Sequence, residues 1–462
     1  MKEAMGLERV ARRVLFISYH YPPDSEIGAK RAARLAKCLI GYGWQAAVLT
    51  VKEKFYERVD RSDGVRGIDT YRTGMFRSVR FLLPRAKGLL ARITRRAQHD
   101  VENAPRRSEA IAVRKAPMPA SDASRDSVSW IKRFILSMIY LPDDKQGWIP
   151  FGLQRCLRLL ATYRLVYSSS PPESTHLIPL LASYFPRKFI WVAEFRDPWT
   201  TFMKPAYMKT KLAQWIAEQW EASVMAKSAR VVVVTEPMRR DLADKYPAYA
   251  DKIRVYSNGF DRDEFVLPAN SVASQETDKT TFVYAGVFDY GRNPRPFLRA
   301  ISELIEEKKL ARERVQVLLM SSTEIAGESI EAMARAYRVE DVVQCLGYVP
   351  FDRCMREMSR ADVLLLFSID QPLQVPAKLY EYLFLNKRIL SISTGGITAE
   401  LIDRTGSGLN VRPDDLPGMK ETIMALISGK GPQRNEAEVA KFDIRAIIRA
   451  LSEDVGGLME RV

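Results

Sequence analysis

Short apolar, β-branched runs recur along the chain, separated by helical or polar segments. In the first half they are RVLFIS (13–18), AAVLTV (46–51), YRLVYSSS (163–170), FIWVAEF (189–195), RVVVVT (230–235) and IRVYSN (253–258). In the second half come TTFVYAG (280–286), VQVLLMS (315–321), VVQCLGY (342–348), ADVLLLFS (361–368) and RILSIS (388–393). Near-continuous hydrophobicity in so short a run marks a strand buried on both faces, as in parallel sheets. Amphipathic stretches between them, such as KRAARLAKCLIGYG (30–43), turn these runs into βα units. The pattern predicts an α/β chain with two doubly wound domains.

Segments that lack either period mark the boundaries. LPANSVASQETDKT (267–280) reads as a linker between a first domain, 1–266, and a second, 281–428. From about 429 to 462 the tail turns helical, with Ile444, Ile447, Ile448 and Leu451 on one face. An insertion over about 75–129 interrupts the first domain, and its part from about 98 onward is rich in Pro, Ser, Ala and mixed charge. Just before that part, MFRSVRFLLPRAKGLLARITRRAQ (75–98) carries Arg77, Arg80, Arg85, Lys87, Arg92, Arg95 and Arg96 and no carboxylate. Ala86, Leu89, Leu90, Ile93 and Ala97 form an apolar stripe there, and Trp130, Ile131, Phe134, Ile135, Met138 and Ile139 form another beyond the insertion. A basic amphipathic helix suits an anionic membrane surface. Stripes packed on the first domain explain the same spacing, and both alternatives stay open.

Length and charge narrow the classes. A chain of 462 residues exceeds what one hydrophobic core usually serves. The net charge of +15 favours anionic partners: nucleic acid, phosphorylated substrates or lipid surfaces. The basic excess is concentrated before the insertion without a nucleic-acid-reading motif, so no nucleic-acid partner is expected. Four widely spaced cysteines and three histidines, with no CxxC or HExxH, point away from a disulfide framework and from a metal site. A reduced, cytoplasmic chain is the expectation. No stretch reaches ~18 uninterrupted apolar residues, so membrane contact would be peripheral, on the inner face.

Several strand-end motifs carry candidate chemistry. SYHYPPDSEIGAKRAARLAKCL (18–39) runs from a strand through a Pro loop to Gly28, which opens a basic helix; amides and positive charge at a helix start form an anion site. RDPW (196–199) places Arg196 and Asp197 where ligands sit in open α/β sheets, and an Arg–Asp pair tying down the loop accounts for it equally. In YAGVFDYGRNP (284–294), Gly286 and Gly291 allow close backbone approach and Arg292 can engage a phosphate bidentately. In VPAKLYEYLFLNKRIL (375–390), Lys378 and Glu381 share a helix face, either as an ion pair or as a phosphate-and-diol reader.

Taken in order, ISYHYPPDSEIGAKR, SSSPPESTH, EFRDPW, VVVVTEPM, SNGFDRDEF, YAGVFDYGRNP, LGYVP, VPAKLYEYL and STGGITAELI resemble the family-four-type (group 1) retaining glycosyltransferases of GT-B fold over roughly residues 13–412. The resemblance is strongest to the bacterial branch that builds surface polysaccharides and lipid-linked glycans. It implies two Rossmann-like domains facing a cleft, an acceptor-side first domain and a nucleotide-diphosphate sugar held mostly by the second. Glu381 is then similar to the family Glu on the ribose hydroxyls, and Arg292 and Lys378 to the basic groups on the diphosphate. Gly28, with Lys30 or Arg31, would approach the phosphate from the first domain. Gly286 is counted among the donor-binding residues, Gly395 and Gly396 resemble the family's second glycine turn, and Asp197 matches the strand end facing the transferring sugar. The implied activity is transfer to a glycan or lipid-linked acceptor hydroxyl with retention, without a metal or other cofactor.

Two departures bear on this. Leu373 stands where the family often has a Glu contacting the sugar, leaving Asp370, Gln374 or amides near Val375 as substitutes. The family strand-end His is replaced by RDPW. A sugar-nucleotide epimerase and a catalytically silent scaffold of a polysaccharide-assembly complex are the alternatives. DRD (261–263) matches a metal-binding string by spacing alone, a weak signal.

Overall fold

The computed structural model describes residues 12–60, 67–76, 137–138, 140–201, 210–263, 279–289, 291–321, 324–325 and 327–460. The basic stretch from 77 onward, the insertion, the stripe after it apart from Met138, and nearly all of 267–280 lie outside the described residues. The chain separates into two compact units, Met1–Val231 and Val232–Val462.

The first sheet has seven strands: β1 (Arg13–Ile17), β2 (Gln45–Val51), β3 (Asp69–Thr73), β4 (Leu165–Ser170), β5 (Ile190–Phe195), β6 (Arg230–Val233) and β7 (Ile253–Val255). Their spatial order is β3-β2-β1-β4-β5-β6-β7, and β6 carries the chain across the division between the units. β1 pairs parallel with both β2 and β4. The second unit holds β8 (Thr280–Ala285), β9 (Val315–Met320), β10 (Glu324–Ile325), β11 (Glu328–Ser329), β12 (Val343–Cys345), β13 (Val363–Ser368), β14 (Arg388–Ser393) and β15 (Gly408–Val411). Six of these form a sheet in the order β12-β9-β8-β13-β14-β15, parallel at every pairing, while β10 and β11 make a small hairpin.

The residues of β13 show why such runs make interior strands. Val363, Leu365 and Phe367 enter one core with the helices Arg295–Glu306 and Leu416–Ile427. Leu364 and Leu366, pointing the other way, enter a second core with the helices Phe351–Arg360 and Lys378–Leu385. Side chains alternate across a sheet, so burial on both faces demands an unbroken apolar run. Each apolar run of the sequence forms a strand. The strands that pattern does not announce are β3 and β15 at the sheet edges and the hairpin. DTYRT and GLNV are short and carry polar residues because an edge strand needs no apolar run. The tail forms a helix, Ile444–Met459, that buries Ile444, Ile447, Ile448 and Leu451. No described helix is long and apolar enough to cross a membrane.

Polar groups penetrate the first unit's core at the ends of β4 and β5. Ser168, His176 and Glu194 are fully buried. Ser168 Oγ lies 2.8 Å from His176 Nδ1 and accepts a hydrogen bond from Trp191 Nε1 at 2.8 Å. Burial pushes His176 down to about 3, against a smaller opposing pull from Glu194. The folded protein therefore keeps this imidazole neutral, whereas the unfolded chain takes up a proton below its ordinary value of about 6.5. Acidification then favours unfolding. Burial alone would raise Glu194, but the charge and hydrogen bonds of Arg31 outweigh it and hold the carboxyl low. Its contribution is present above the ordinary carboxylate range and is lost as pH falls through and below it. The melting temperature should decline as pH falls from about 6.5 toward 3, and His176→Gln should flatten that decline in scanning calorimetry, most visibly above the carboxylate range where Glu194 does not yet contribute. An unchanged slope in the variant would assign the acid sensitivity elsewhere.

Candidate functional site

In the second sheet the chain runs outward from β8 through β9 to β12, then returns to build β13, β14 and β15 on the other side. The loops leaving β8 and β13 thus diverge from neighbouring strands, and ligands of open α/β sheets settle at such a switch point. Three loops meet at this rim. Gly291 O accepts from Ile369 N at 2.9 Å, tying the loop after β8 to the end of β13. Asp370 N donates to Thr394 Oγ1 at 3.0 Å, and Ile397 N to Pro372 O at 3.1 Å, tying the loops after β13 and β14 together. Gly396 is obligatory in that contact. Its φ is +83°, and a Cβ there would lie 2.6 Å from the Cα of Pro372. Gly395 shares the left-handed region with φ +101°. Leu373 is half-buried in the middle loop, and Gln374 O accepts from Thr398 Oγ1 at 3.2 Å.

The sequence-predicted charges stand on this rim. Lys378 is the first residue of the helix Lys378–Leu385 and donates from Nζ to Glu381 Oε2 at 2.6 Å, with the two side chains 25% and 14% exposed. Arg292 precedes the helix Arg295–Glu306 and sits 3.4 Å from Asp289. Gly286 N donates to Met320 O at 3.1 Å, which fixes the start of the β8 loop against β9. A helix start leaves backbone N–H groups unpaired and carries partial positive charge. Six of the described helices answer it with an N-cap side chain, from Thr210, Thr235, Ser329, Asp415, Asn435 and Asp443, and others, such as Ile149–Leu159 and Phe351–Arg360, have none. The rim helices are of the second kind. Ala377 and Pro294 at the N-cap positions offer no side-chain acceptor, although Asn293 takes the Arg295 N–H at 3.0 Å. The first turns bring cations, and the carboxylate Glu381 is engaged with Lys378.

The first unit repeats the arrangement at its own switch point between β1 and β4. The helix Ile27–Gly41 starts after Glu26 with no side-chain cap and no acid in its first turn. Lys30 is half-exposed, while Arg31 is buried and donates to Glu194 Oε1 from Nε at 3.0 Å and Nη2 at 2.7 Å. Arg31 thus holds the helix onto β5, and Lys30 is the cation of the two on the more open side. Tyr167 Oη and Ser169 Oγ complete the carboxylate's shell at 2.8 and 2.5 Å. Arg196 donates to Ser170 O at 2.9 Å and to Pro171 O, and its pinned guanidinium fills the space where a Cβ on Gly28 would go. Half-buried Asp197 follows it. Glu194 and Arg196 were not singled out as a buried frame by sequence; a lone Glu inside FIWVAEF was the available signal, because unpaired carboxylates are almost never fully buried.

The DRD string has local partners. Asp261 accepts from Asp263 N at 3.0 Å, Arg262 pairs with Asp443 at 3.0 Å, and Asp263 pairs with Arg445 at 2.6 Å.

Comparison with known proteins gives these rims a context. The family description "Glycosyl transferases group 1" matches residues 279–429, and "Glycosyltransferase Family 4" matches residues 111–264. A D-inositol 3-phosphate glycosyltransferase of Kineococcus radiotolerans is 26% identical over 198 residues, 41% of this chain. The chain spans 45% of that relative's length. Sucrose-phosphate synthase from Thermosynechococcus elongatus superposes with a TM-score of 0.59 at 14% identity, covering 97% of this chain and 98% of that one. HepE from Anabaena in complex with UDP does so with a TM-score of 0.59 at 11% identity, covering 96% and 100%. These structures share the fold of two Rossmann-like domains. With both family matches falling in order on the two parallel-sheet units, the chain belongs to the group 1, family-four glycosyltransferases of GT-B fold.

Proposed function

We propose that this glycosyltransferase moves a sugar from a nucleoside-diphosphate donor to an acceptor hydroxyl with retention, in surface-polysaccharide or lipid-linked glycan assembly. The observation that carries the donor class is the pair of rim helices in the second unit that begin with cations and without N-cap acceptors. Positive helix ends reinforced by Arg292 and Lys378 are electrostatically unfavourable by themselves and suit a diphosphate. Gly286, Gly395 and Gly396 let the backbone come close to it, and Glu381 takes the ribose hydroxyls. On the first unit, Gly28 and Lys30 have the phosphate-facing role and Asp197 the sugar-facing one. HepE is a neighbour whose complexes contain UDP and UDP-glucose, which agrees with a donor of this class. The basic stretch 75–98 is assigned to an anionic membrane surface, an association that salt should weaken.

Chemically, negative charge grows on the leaving diphosphate as the glycosidic bond lengthens. Fixed cations stabilise that charge without reorganising. The acceptor hydroxyl attacks on the face the diphosphate leaves, which retains configuration without a protein nucleophile. An epimerase would turn over donor with no acceptor present, and a scaffold would bind donor without transfer.

Two substitutions test the assignment. A ribose diol can give a carboxylate two hydrogen bonds, and charged hydrogen bonds contribute roughly 1.5–3 kcal/mol. Glu381→Ala should therefore weaken donor binding by about tenfold or more in calorimetry, and equal affinity in a folded variant would remove Glu381 from the site. Lys378 aims at charge that appears chiefly in the transition state, so Lys378→Ala should lower kcat by ~10²–10³ and raise the donor KM far less. Lys378→Arg should rescue poorly, because a planar fork cannot replace a compact ammonium. Near-wild-type kcat would reduce Lys378 to an ion-pair partner. Since Arg292 and Lys378 do the neutralising, activity should survive EDTA; loss restored by manganese or magnesium would overturn that division of labour.

A further inference from the structure

The first unit carries a second basic feature, along the free edge of its sheet. A groove of about 440 Å³ runs between β3 and the helix Ile149–Leu159. That volume falls within the ~300–1,000 Å³ of small-molecule sites. Lys52, Arg72, Arg155 and Arg158 line it, and no Asp or Glu does among the described residues. Gln154, Arg155 and Arg158 come from one face of the helix, by the spacing of three and four that brings helical residues into line.

The four cations are not equivalent. Arg72 is committed to the fold, donating to Val51 O at 3.2 Å and to Pro22 O at 2.6 Å, and its Nε lies 3.8 Å from Glu53 Oε1. Arg155 lies over the Tyr71 ring at 4.6 Å, with no carboxylate partner among the described residues. Lys52 and Arg158 are exposed and likewise have no carboxylate partner there. Some cations elsewhere pair with carboxylates, as Arg31 does with Glu194 and Lys420 with Glu303 and Glu307, and others, such as Arg187 and Arg388, donate to backbone carbonyls. Arg158 also lies in the last turn of its helix, where the dipole favours a cation, but that accounts for one charge and not three. Three cations, Lys52, Arg155 and Arg158, that converge on a concave, polar site without a carboxylate among the described residues suit an anion from outside.

The groove also has room and polarity beyond a phosphate. The Gln154 amide and the Thr70 hydroxyl offer hydrogen bonds, and Phe151 offers an apolar face. Arg72 ties the groove to Pro22, in the loop that leads to Gly28. We propose that this groove binds the phosphate of a sugar or polyol phosphate, and that this molecule is the acceptor class of the transferase. The acceptor role rests on the function proposed above; the binding does not.

Isothermal titration calorimetry on the full chain tests it, with a hexose 6-phosphate, the same hexose without phosphate, and a nucleoside diphosphate as probes. The hexose phosphate should bind and the bare hexose should not. Arg155→Gln/Arg158→Gln, which keeps good helix formers on the helix surface, should weaken hexose-phosphate binding at least about tenfold and leave the nucleoside diphosphate unaffected. Lys52→Gln, on an exposed loop, should weaken it by a smaller factor and guards against a folding defect. Phosphatidylcholine vesicles with and without phosphatidylinositol form a second arm. Capture by the phosphatidylinositol vesicles alone, lost in the double variant, assigns the phosphate to a lipid headgroup. Binding in neither arm, or binding that survives the double variant, overturns the site. Groove-dependent phosphate binding in a chain that ignores nucleoside diphosphates overturns the transferase reading instead and leaves the groove standing.

Discussion

In a parallel sheet every helix that follows a strand begins at the same edge, so unpaired N–H groups and their partial positive charge accumulate on one rim. The chain has two ways to meet that constraint. Some helices that follow a strand are given an N-cap oxygen, as Thr210 and Thr235 supply. At the switch points it does the reverse, opening helices with Lys30 and Lys378 and placing Arg292 just ahead of another. On the function proposed above, the glycines, the stitched loops and the choice of Ala377 and Pro294 are parts of an edge that offers a ligand backbone N–H groups and cations together.

Such an edge holds its shape only if something rigid stands behind it. In the first unit this is a buried charge frame, with Glu194 receiving Arg31, Tyr167 and Ser169 while Arg196 clamps the end of β4. Burying an ion pair is costly, and one left incomplete is strongly destabilising. Glu194 has its oxygens satisfied and Arg196 reaches two carbonyls, so the frame over-determines where Gly28 and the start of its helix sit. Rigidity beneath the helix start is what preorganised electrostatics require.

Legibility in the sequence followed burial. Strands covered on both faces announce themselves as apolar runs, and β13 shows why, since its alternate residues serve two cores. β3 and β15 were silent because an edge has one neighbour and tolerates DTYRT or GLNV. Gly396 was legible because a close backbone approach restricts residue type, and Lys378 and Glu381 because three-residue spacing puts them on one helix face. The partner of Arg31 was not legible, for Glu194 is 163 residues away and only the fold joins them. The groove beside β3 was invisible for both reasons together: one wall is a silent edge strand and the other a helix distant in sequence.

The contact between Lys378 and Glu381 shapes how the site must be understood. At 2.6 Å each is the other's principal partner, so the ammonium placed at a positive helix end is compensated by the carboxylate one turn on. Removing either group leaves the other without its 2.6 Å partner in a half-buried position, besides any ligand contact that the proposed function gives it. The energies of the two truncations therefore cannot add, and their sum overstates what the pair contributes. A diphosphate that takes over Lys378 would free Glu381 for a neighbouring hydroxyl donor, so donor binding exchanges one ion pair for two ligand contacts.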